Sequence, residues 1–170
     1  MNGYYGDVEA TREVLSNNGW LNTGDLAYRI AKDIVITGRE KDHIFVNGRN
    51  VWPQDLEALA EQQPEVRTGD ALALCVPGAD GNNTAVLLIQ CRKPEEAERS
   101  DLGMHLRRLI ERELFIECTV ELVPRHTLPR TTSGKLSRSQ ARKDYLNRIA
   151  DRQTIQVGRK NLLRTVKRVA

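Results

Sequence analysis

The first third of this chain alternates apolar and polar positions in short segments that are typical of β-strands. Residues 26–30 and 34–37 are rich in apolar and β-branched side chains, and they predict a hairpin around the polar turn Lys32-Asp33. A third short strand, residues 43–46, ends at Asn47-Gly48. That dipeptide is typical of tight hairpin turns, so we expect the chain to reverse direction there as well.

Helical and strand-like periods alternate through the rest of the chain. Pro53 stands where a helix would begin, since proline is tolerated in the first turn, and Ser100 is placed to cap a helix over 101–115. The same periodicities predict a short helix over 10–17, buried strands over 71–76, 84–91 and 119–123, an exposed loop over 124–134 and a helix over 137–150. This order predicts an α+β fold, a small domain with a roughly three-stranded central sheet flanked by helices and preceded by a β-hairpin.

Composition is typical of a globular protein. Of 170 residues, 39% are hydrophobic and 29% charged. No apolar run approaches the roughly 20 residues that cross a bilayer, and the N-terminus lacks an apolar signal segment. Cys75, Cys91 and Cys118 include no Cys-x-x-Cys pair. We therefore expect buried free thiols in a reducing compartment, the cytoplasm, and no metal site.

The net charge of +3 conceals a basic C-terminal segment. Residues 142–170 carry nine Lys/Arg and two Asp, so the rest of the chain is net acidic. A nucleic-acid-binding domain is usually basic over its main face, so we expect no nucleic-acid partner. Within the tail, Leu162, Val166 and Val169 stand at helical spacing among basic residues. This pattern favours either docking to an acidic carrier protein or membrane surface, or a terminal helix with a solvated basic face.

Two segments near turns carry residue types that suit a nucleotide. Asp25 follows Thr23-Gly24, and a carboxylate displayed there can accept hydrogen bonds from paired hydroxyls such as those of a ribose. The alternative is that Asp25 only closes the turn. Arg39 and Arg49 each follow a glycine, which lets a ligand approach the backbone, and each guanidinium offers a planar fork for phosphate or sugar oxygens. The alternative here is ordinary solvated charge around turns.

A third segment presents a single ammonium group. Lys135 follows the small residues 131–134, and a lysine on an exposed loop suits the neutralisation of charge at a phosphoryl centre. It is not a Walker A loop, because Pro129 stands where that motif needs Gly and Leu136 replaces its Ser/Thr. The alternative is a disordered loop that leads into a helix.

In order and spacing, these segments resemble the last motifs of the adenylate-forming superfamily of acyl-CoA synthetases, peptide-synthetase adenylation domains and luciferases. The resemblance covers about residues 1–148. The segment 47–57 looks most like the fatty acyl-AMP ligases, which activate fatty acids as adenylates and pass them to the phosphopantetheine arm of a carrier protein. Phe45 departs from many relatives, which have Lys there. The matching motifs are Thr23-Gly24-Asp25, Gly38-Arg39 with Gly48-Arg49, and Pro129-Arg130-Thr131 through Gly134-Lys135.

The resemblance implies a role for four residues. Asp25 would bind the ribose hydroxyls of ATP or of the acyl-adenylate, and Arg39 would reach the same ribose or the phosphates. Lys41 matches the hinge about which the small domain rotates. Lys135 would bridge the substrate carboxylate and the α-phosphate. ATP with Mg²⁺ would be a substrate of the intact enzyme, with no metal ligands from this chain.

The resemblance also implies how the chain is organised. Residues 1–38 would be the end of a large N-terminal adenylating domain, 39–150 a small lid domain and 151–170 a basic tail. The family's Gly/Ser/Thr-rich phosphate loop, acyl pocket and adenine-covering aromatic segment are absent from this sequence, so we expect an enzyme fragment that is inactive alone. Its expected partners are the large domain, a fatty acid, and an acyl carrier protein or CoA. The alternatives are the C-terminal domain of an acyl-CoA synthetase and a non-catalytic nucleotide- or partner-binding module.

Overall fold

The computed structural model describes residues 1–78, 81–91 and 95–152. The described residues fall into two compact units, which divide between His43 and Ile44. The boundary between residues 38 and 39 that the resemblance implies remains a prediction. The expected amphipathic tail lies outside the described residues from 153 onward.

The first unit contains a short helix and a hairpin. Helix α1, Val8–Val14, begins earlier than the sequence predicts because the Asp7 carboxylate caps it, accepting a hydrogen bond from the Ala10 N–H at 2.9 Å. Strands β1 (Asp25–Ile30) and β2 (Asp33–Arg39) pair in the predicted antiparallel hairpin. The turn, however, is one residue earlier than predicted.

Backbone conformation explains where that turn lies. Ala31 takes the left-handed conformation, with φ of 53°, and Lys32 completes the turn. Asp33, predicted to be in the turn, instead pairs with Ile30 as the first residue of β2. The hairpin is therefore tight, with two residues between its strands.

The second unit contains a second hairpin and the central sheet. The predicted reversal at Asn47-Gly48 is confirmed, with φ of 50° and 76°, the left-handed pair that a type I′ turn needs. The three-stranded sheet has the order β5-β6-β7, in which β5 and β6 are antiparallel and β6 and β7 parallel. The elements are β3 Ile44–Val46, β4 Arg49–Val51, α2 Pro53–Glu61, β5 Ala71–Pro77, β6 Asn83–Gln90, α3 Glu96–Leu114, β7 Cys118–Val123 and α4 over residues 138–152.

Helices cover both faces of the sheet, which confirms the predicted α+β fold. On one face, Leu56 of α2 and Leu106 of α3 pack with Leu87 of β6 in a continuous apolar cluster. On the other face, Tyr145 of α4 packs with Leu72 and its neighbours. Alternate residues of each strand thus point to opposite faces, and each face has its own helices.

Two sequence predictions in this unit are wrong. The helix α3 begins at Glu96 and not at 101, so Ser100 lies inside it and does not cap it. Glutamates in the first turn favour the earlier start because they complement the positive end of the helix dipole. The segment 124–134 is not a uniformly exposed loop either, since Leu128 is buried in the cluster below α4.

The three cysteines are free thiols. Cys91 is buried, and Cys75 and Cys118 are partly buried. No helix among the described residues is both long enough and apolar enough to cross a membrane.

Candidate functional site

Asp25 and Arg39 lie opposite each other at the open end of the first hairpin. They are register partners at the start of β1 and the end of β2. The Arg39 Nε–H donates to Asp25 Oδ1 at 2.9 Å. The structure thus brings together Asp25, for which the resemblance implies ribose binding, and Arg39, for which it implies binding to the same ribose or to the phosphates.

The turn before β1 holds the Asp25 carboxylate in place. Gly24 has a φ of 70°, and its N–H donates to the Asn22 side-chain oxygen at 2.8 Å. The Asp25 N–H donates to Thr23 Oγ1 at 3.2 Å. The carbonyl of Gly24 accepts from the Glu40 N–H at 2.9 Å, which ties the turn to the end of β2. The Thr-Gly-Asp motif is therefore a hydrogen-bonded turn.

The pair is open to solvent. The side chains of Arg39 and Asp25 are 64% and 34% exposed, so the ion pair itself contributes little to stability. The second carboxylate oxygen of Asp25 can accept a hydrogen bond from a ligand, and the other N–H groups of Arg39 can donate to one. A carboxylate beside a guanidinium can accept from a diol and also bind a nearby anionic group.

Lys41 lies in the 3-10 turn Glu40–Asp42, directly after β2. It is exposed and precedes Ile44, where the second compact unit begins. This position suits a connection between two units, and the hinge role remains a prediction.

Lys135 lies in the second unit, at the end of a tight turn between Arg130 and Leu136, which form an isolated β-bridge. The Thr131 N–H donates to the Lys135 carbonyl at 2.8 Å, and the Gly134 N–H donates to the Thr131 carbonyl at 2.9 Å. The Lys135 side chain is exposed. Its ammonium has no hydrogen bond or ion pair with any residue that the structure describes, so it is available to a ligand.

The Lys135 turn is anchored by residues to which the sequence motifs assigned no role. Arg130 donates to the Gly134 carbonyl at 2.9 Å and to the Gly69 carbonyl at 2.7 Å. Arg138 donates to the Glu57 carboxylate at 2.7 Å. No sequence pattern pairs these residues, because the contacts join positions that are 61 and 81 residues apart.

Arg49 and Phe45, the other residues that the motifs brought forward, belong to the second hairpin. Arg49 lies over the ring of Phe115 and Phe45 is about half exposed. No group of three or more His, Cys, Asp or Glu within the described ranges is arranged to hold a metal ion.

The chain matches no protein-family model, but it is similar to many known proteins. It is 44% identical over 147 residues to a putative acyl-CoA synthetase of Caulobacter vibrioides, covering 86% of this chain and 26% of that protein. It is 30% identical over 165 residues to the medium-chain-fatty-acid–[acyl-carrier-protein] ligase JamA of Moorena producens, covering 88% of this chain and 27% of JamA. The chain therefore spans about a quarter of the length of these relatives.

Solved structures give the same result. A structure from a study of fatty acyl-adenylate ligases of E. coli and L. pneumophila matches with a TM-score of 0.77 and 42% identity, over 89% of this chain and 26% of that one. A keto acid-selecting peptide-synthetase module matches with a TM-score of 0.78 and 31% identity, over 92% of this chain and 13% of the other. Sequence and fold thus point to the same group of proteins.

Proposed function

We propose that this chain forms the lid portion of an ATP-dependent fatty acid adenylating ligase. It has the sequence and fold of the C-terminal domain of the adenylate-forming enzymes, and it is most like their fatty acyl-AMP ligases. The reaction joins a fatty acid to ATP, giving acyl-AMP and pyrophosphate, and the acyl group then passes to a carrier-protein phosphopantetheine. The 42% identity to a solved fatty acyl-adenylate ligase supports the first step. The similarity to an acyl-carrier-protein ligase supports the second.

The observation that carries this proposal is the Asp25–Arg39 pair at the end of the hairpin. Asp25 accepts hydrogen bonds from the two ribose hydroxyls, using the carboxylate capacity that Arg39 leaves open. Arg39 binds the ribose or the phosphates through its other N–H groups. Both side chains are exposed in this chain, as a nucleotide-binding pair must be before ligand binds.

Lys135 supplies the positive charge for adenylation. Attack of a carboxylate on ATP brings two anions together, and an ammonium that bridges the carboxylate and the α-phosphate offsets their repulsion. The Lys135 ammonium is exposed on its turn. Lys41 is the hinge that lets the small domain deliver this lysine. Mg²⁺ enters with ATP.

The chain spans about a quarter of its relatives. In this proposal the fatty-acid pocket and most of the ATP site therefore belong to a large adenylating domain, and the chain alone is inactive. The test is ATP–pyrophosphate exchange with a panel of fatty acids. We expect no exchange with the chain alone, and exchange with a fusion in which it replaces the matching quarter of the solved fatty acyl-adenylate ligase. Robust exchange by the chain alone would overturn the proposal.

Variants of that fusion assign the residues. Lys135→Ala should lower the exchange rate at least ~100-fold with little change in ATP affinity, whereas Asp25→Ala should weaken ATP binding. Lys143→Ala, which removes an exposed lysine of α4, is the matched control and should leave exchange unchanged. Loss of ATP binding in Lys135→Ala, or unchanged affinity in Asp25→Ala, would contradict the roles given to these residues.

An acyl-CoA synthetase is the second candidate, supported by the 44% identity to a putative acyl-CoA synthetase. The two candidates differ in the acceptor of the acyl group. Adding CoA or a phosphopantetheinylated carrier protein to the preformed acyl-AMP complex distinguishes them. Acyl-CoA formation would favour the synthetase, and loading of the carrier alone would favour the ligase.

A further inference from the structure

Two glutamates of α2, one helical turn apart, hold the two ends of the Lys135 turn. Glu61 Oε1 accepts from the Gly69 N–H at 2.7 Å, and the Gly69 carbonyl accepts from Arg130 at 2.7 Å. Both oxygens of Glu57 lie 2.7 Å from the same nitrogen of Arg138. Residues i and i+4 of a helix share a face, so α2 offers both carboxylates on the same side.

The Glu57–Arg138 pair is the more enclosed of the two anchors. The side chains of Glu57 and Arg138 are 15% and 21% exposed, and Glu57 also accepts from the Ala73 N–H of β5 at 2.9 Å. A charge-assisted hydrogen bond in such surroundings is stronger than one at the surface. It joins α2, the edge of the sheet and the start of α4 at one point.

The second anchor reaches into the turn itself. Arg130 donates one N–H to Gly134, the residue before the lysine, and another to Gly69. The Ser137 N–H donates to the Pro129 carbonyl at 2.9 Å, which closes the base of the turn. Arginine thus stands five residues before and three residues after Lys135, and both arginines reach back to the region of α2.

From these contacts we propose that Glu57, Arg138 and Arg130 are positioning residues that fix the Lys135 turn to the body of the second unit. The lysine then moves as part of that unit and not by flexing of its own loop. The inference rests on the proposed role of Lys135 and adds the residues through which the lid domain sets the position of its ammonium. Placement to within about 1 Å matters, because a shift of that size can cost ~100-fold in rate.

The first test uses the 170-residue chain and does not depend on activity. The Thr131 and Gly134 amides make the hydrogen bonds of the turn, so their hydrogen exchange reports how often it opens. Arg138→Gln and Arg130→Gln should each speed that exchange about 10-fold. Arg142→Gln is the matched control, because Arg142 lies on the same helix but donates to the Cys75 carbonyl at 2.8 Å. Equal exchange in Arg138→Gln and wild type would overturn the proposal.

The second test uses the catalytic fusion. Arg138→Gln should lower kcat about 10-fold or more without changing KM for ATP, and Arg138→Lys should recover part of the loss. In a Lys135→Ala background, Arg138→Gln should cause no further loss, because it acts through that lysine. An additive loss would show a general structural effect and overturn the inference. Arg130 is exposed, so Arg130→Gln repeats this test if Arg138→Gln fails to fold.

These outcomes separate the inference from the proposed function. Suppose that Arg138→Gln speeds hydrogen exchange at the Thr131 and Gly134 amides while Lys135→Ala keeps full activity. That result would contradict the role of the lysine and leave the anchoring of its turn intact. Loss of activity in Lys135→Ala together with unchanged kcat in Arg138→Gln would keep the role of the lysine and refute its positioning by Glu57 and Arg138.

Discussion

Arg49 lies over the aromatic ring of Phe115, with its guanidinium carbon 5.1 Å from the ring centroid. The contact joins β4 to the end of α3. Phe115 is also the left-handed C-cap of that helix, with φ of 54°, although its side chain is 65% exposed. Glycine is the usual residue in this conformation because a Cβ is unfavourable there. A cation–π contact therefore accompanies a strained cap.

This strain predicts an unusual order of stability among variants. Phe115→Gly should be about 1 kcal/mol more stable than Phe115→Ala, because both lose the ring but only glycine avoids the left-handed Cβ. At Arg108, an exposed position inside the same helix, the order should reverse by a similar amount, since alanine is the better helix former. Urea unfolding of the four variants measures both differences. The same order at both positions would contradict the strain at Phe115.

Burial in the core predicts a large loss of stability when Leu106, in the same helix, is truncated. Leu106 is fully buried against the sheet, whereas Met104 of the same helix is 44% exposed. Leu106→Ala should lower the free energy of unfolding by about 2–5 kcal/mol, and Met104→Ala by less than about 1 kcal/mol. Denaturant titration followed by circular dichroism gives both values. Similar losses would mean that α3 does not pack as described.

The Cys118 thiol should be unreactive in the folded chain. Burial raises the pKa of Cys118 to about 12 from 9.0, outweighing a backbone hydrogen bond and the Arg107 charge that lower it. The thiolate is the reactive form, so three pKa units reduce its population at pH 8 by about 1000-fold. Iodoacetamide labelling of a variant with Cys118 as its only cysteine should be correspondingly slow. In about 8 M urea, which unfolds the chain, labelling should be fast. Rapid labelling without denaturant would contradict the burial.

Glu57 predicts a pH dependence of stability. Burial is the largest influence and raises the pKa of Glu57 above 4.5, against the lowering effects of the Ala73 N–H and Arg138. The native chain therefore holds this proton more tightly than the unfolded chain. The stabilising contribution is complete below pH 4.5 and is lost as pH rises through the native pKa.

The comparison is with Glu57→Gln, which cannot titrate. The unfolding free energy of wild type minus that of Glu57→Gln should fall as pH rises above about 4.5, the unperturbed value. Arg138→Gln removes the cation that opposes the rise in the Glu57 pKa. In that variant, the stability contributed by Glu57 should therefore continue to fall up to a higher pH. A difference that increased with pH would show that the ion pair outweighs burial.

Local patterns predicted most of the fold. The Asn47-Gly48 turn and the start of α2 at Pro53 depend on backbone preferences of single residues, and both are where the sequence predicted. The start of α3 was mispredicted because Ser100 has the side chain of a cap, while Glu96 begins the helix without one. Cap preference is a weak guide when neighbouring residues are themselves good helix formers.

The candidate site, too, could be predicted from sequence only in part. Asp25 and Arg39 could be grouped from sequence, since two strands joined by a short turn bring their outer ends together. The contact of Arg130 with Gly69, 61 residues earlier, and that of Arg138 with Glu57, 81 residues earlier, could not. No periodicity encodes such contacts, because they depend on how α2, the sheet and α4 pack.

The parallel pairing of β6 with β7 has a consequence during synthesis. Residues 85–90 pair with 118–123, so β7 can join only after α3 has been made and has crossed the sheet. Until then the three-stranded sheet consists of the β5–β6 pair, with one side of β6 unpaired. All six residues of Ala85–Gln90 are buried in the finished protein. While the ribosome is completing the chain, that unpaired apolar edge is therefore prone to aggregation, and a chaperone that covered it would protect the chain.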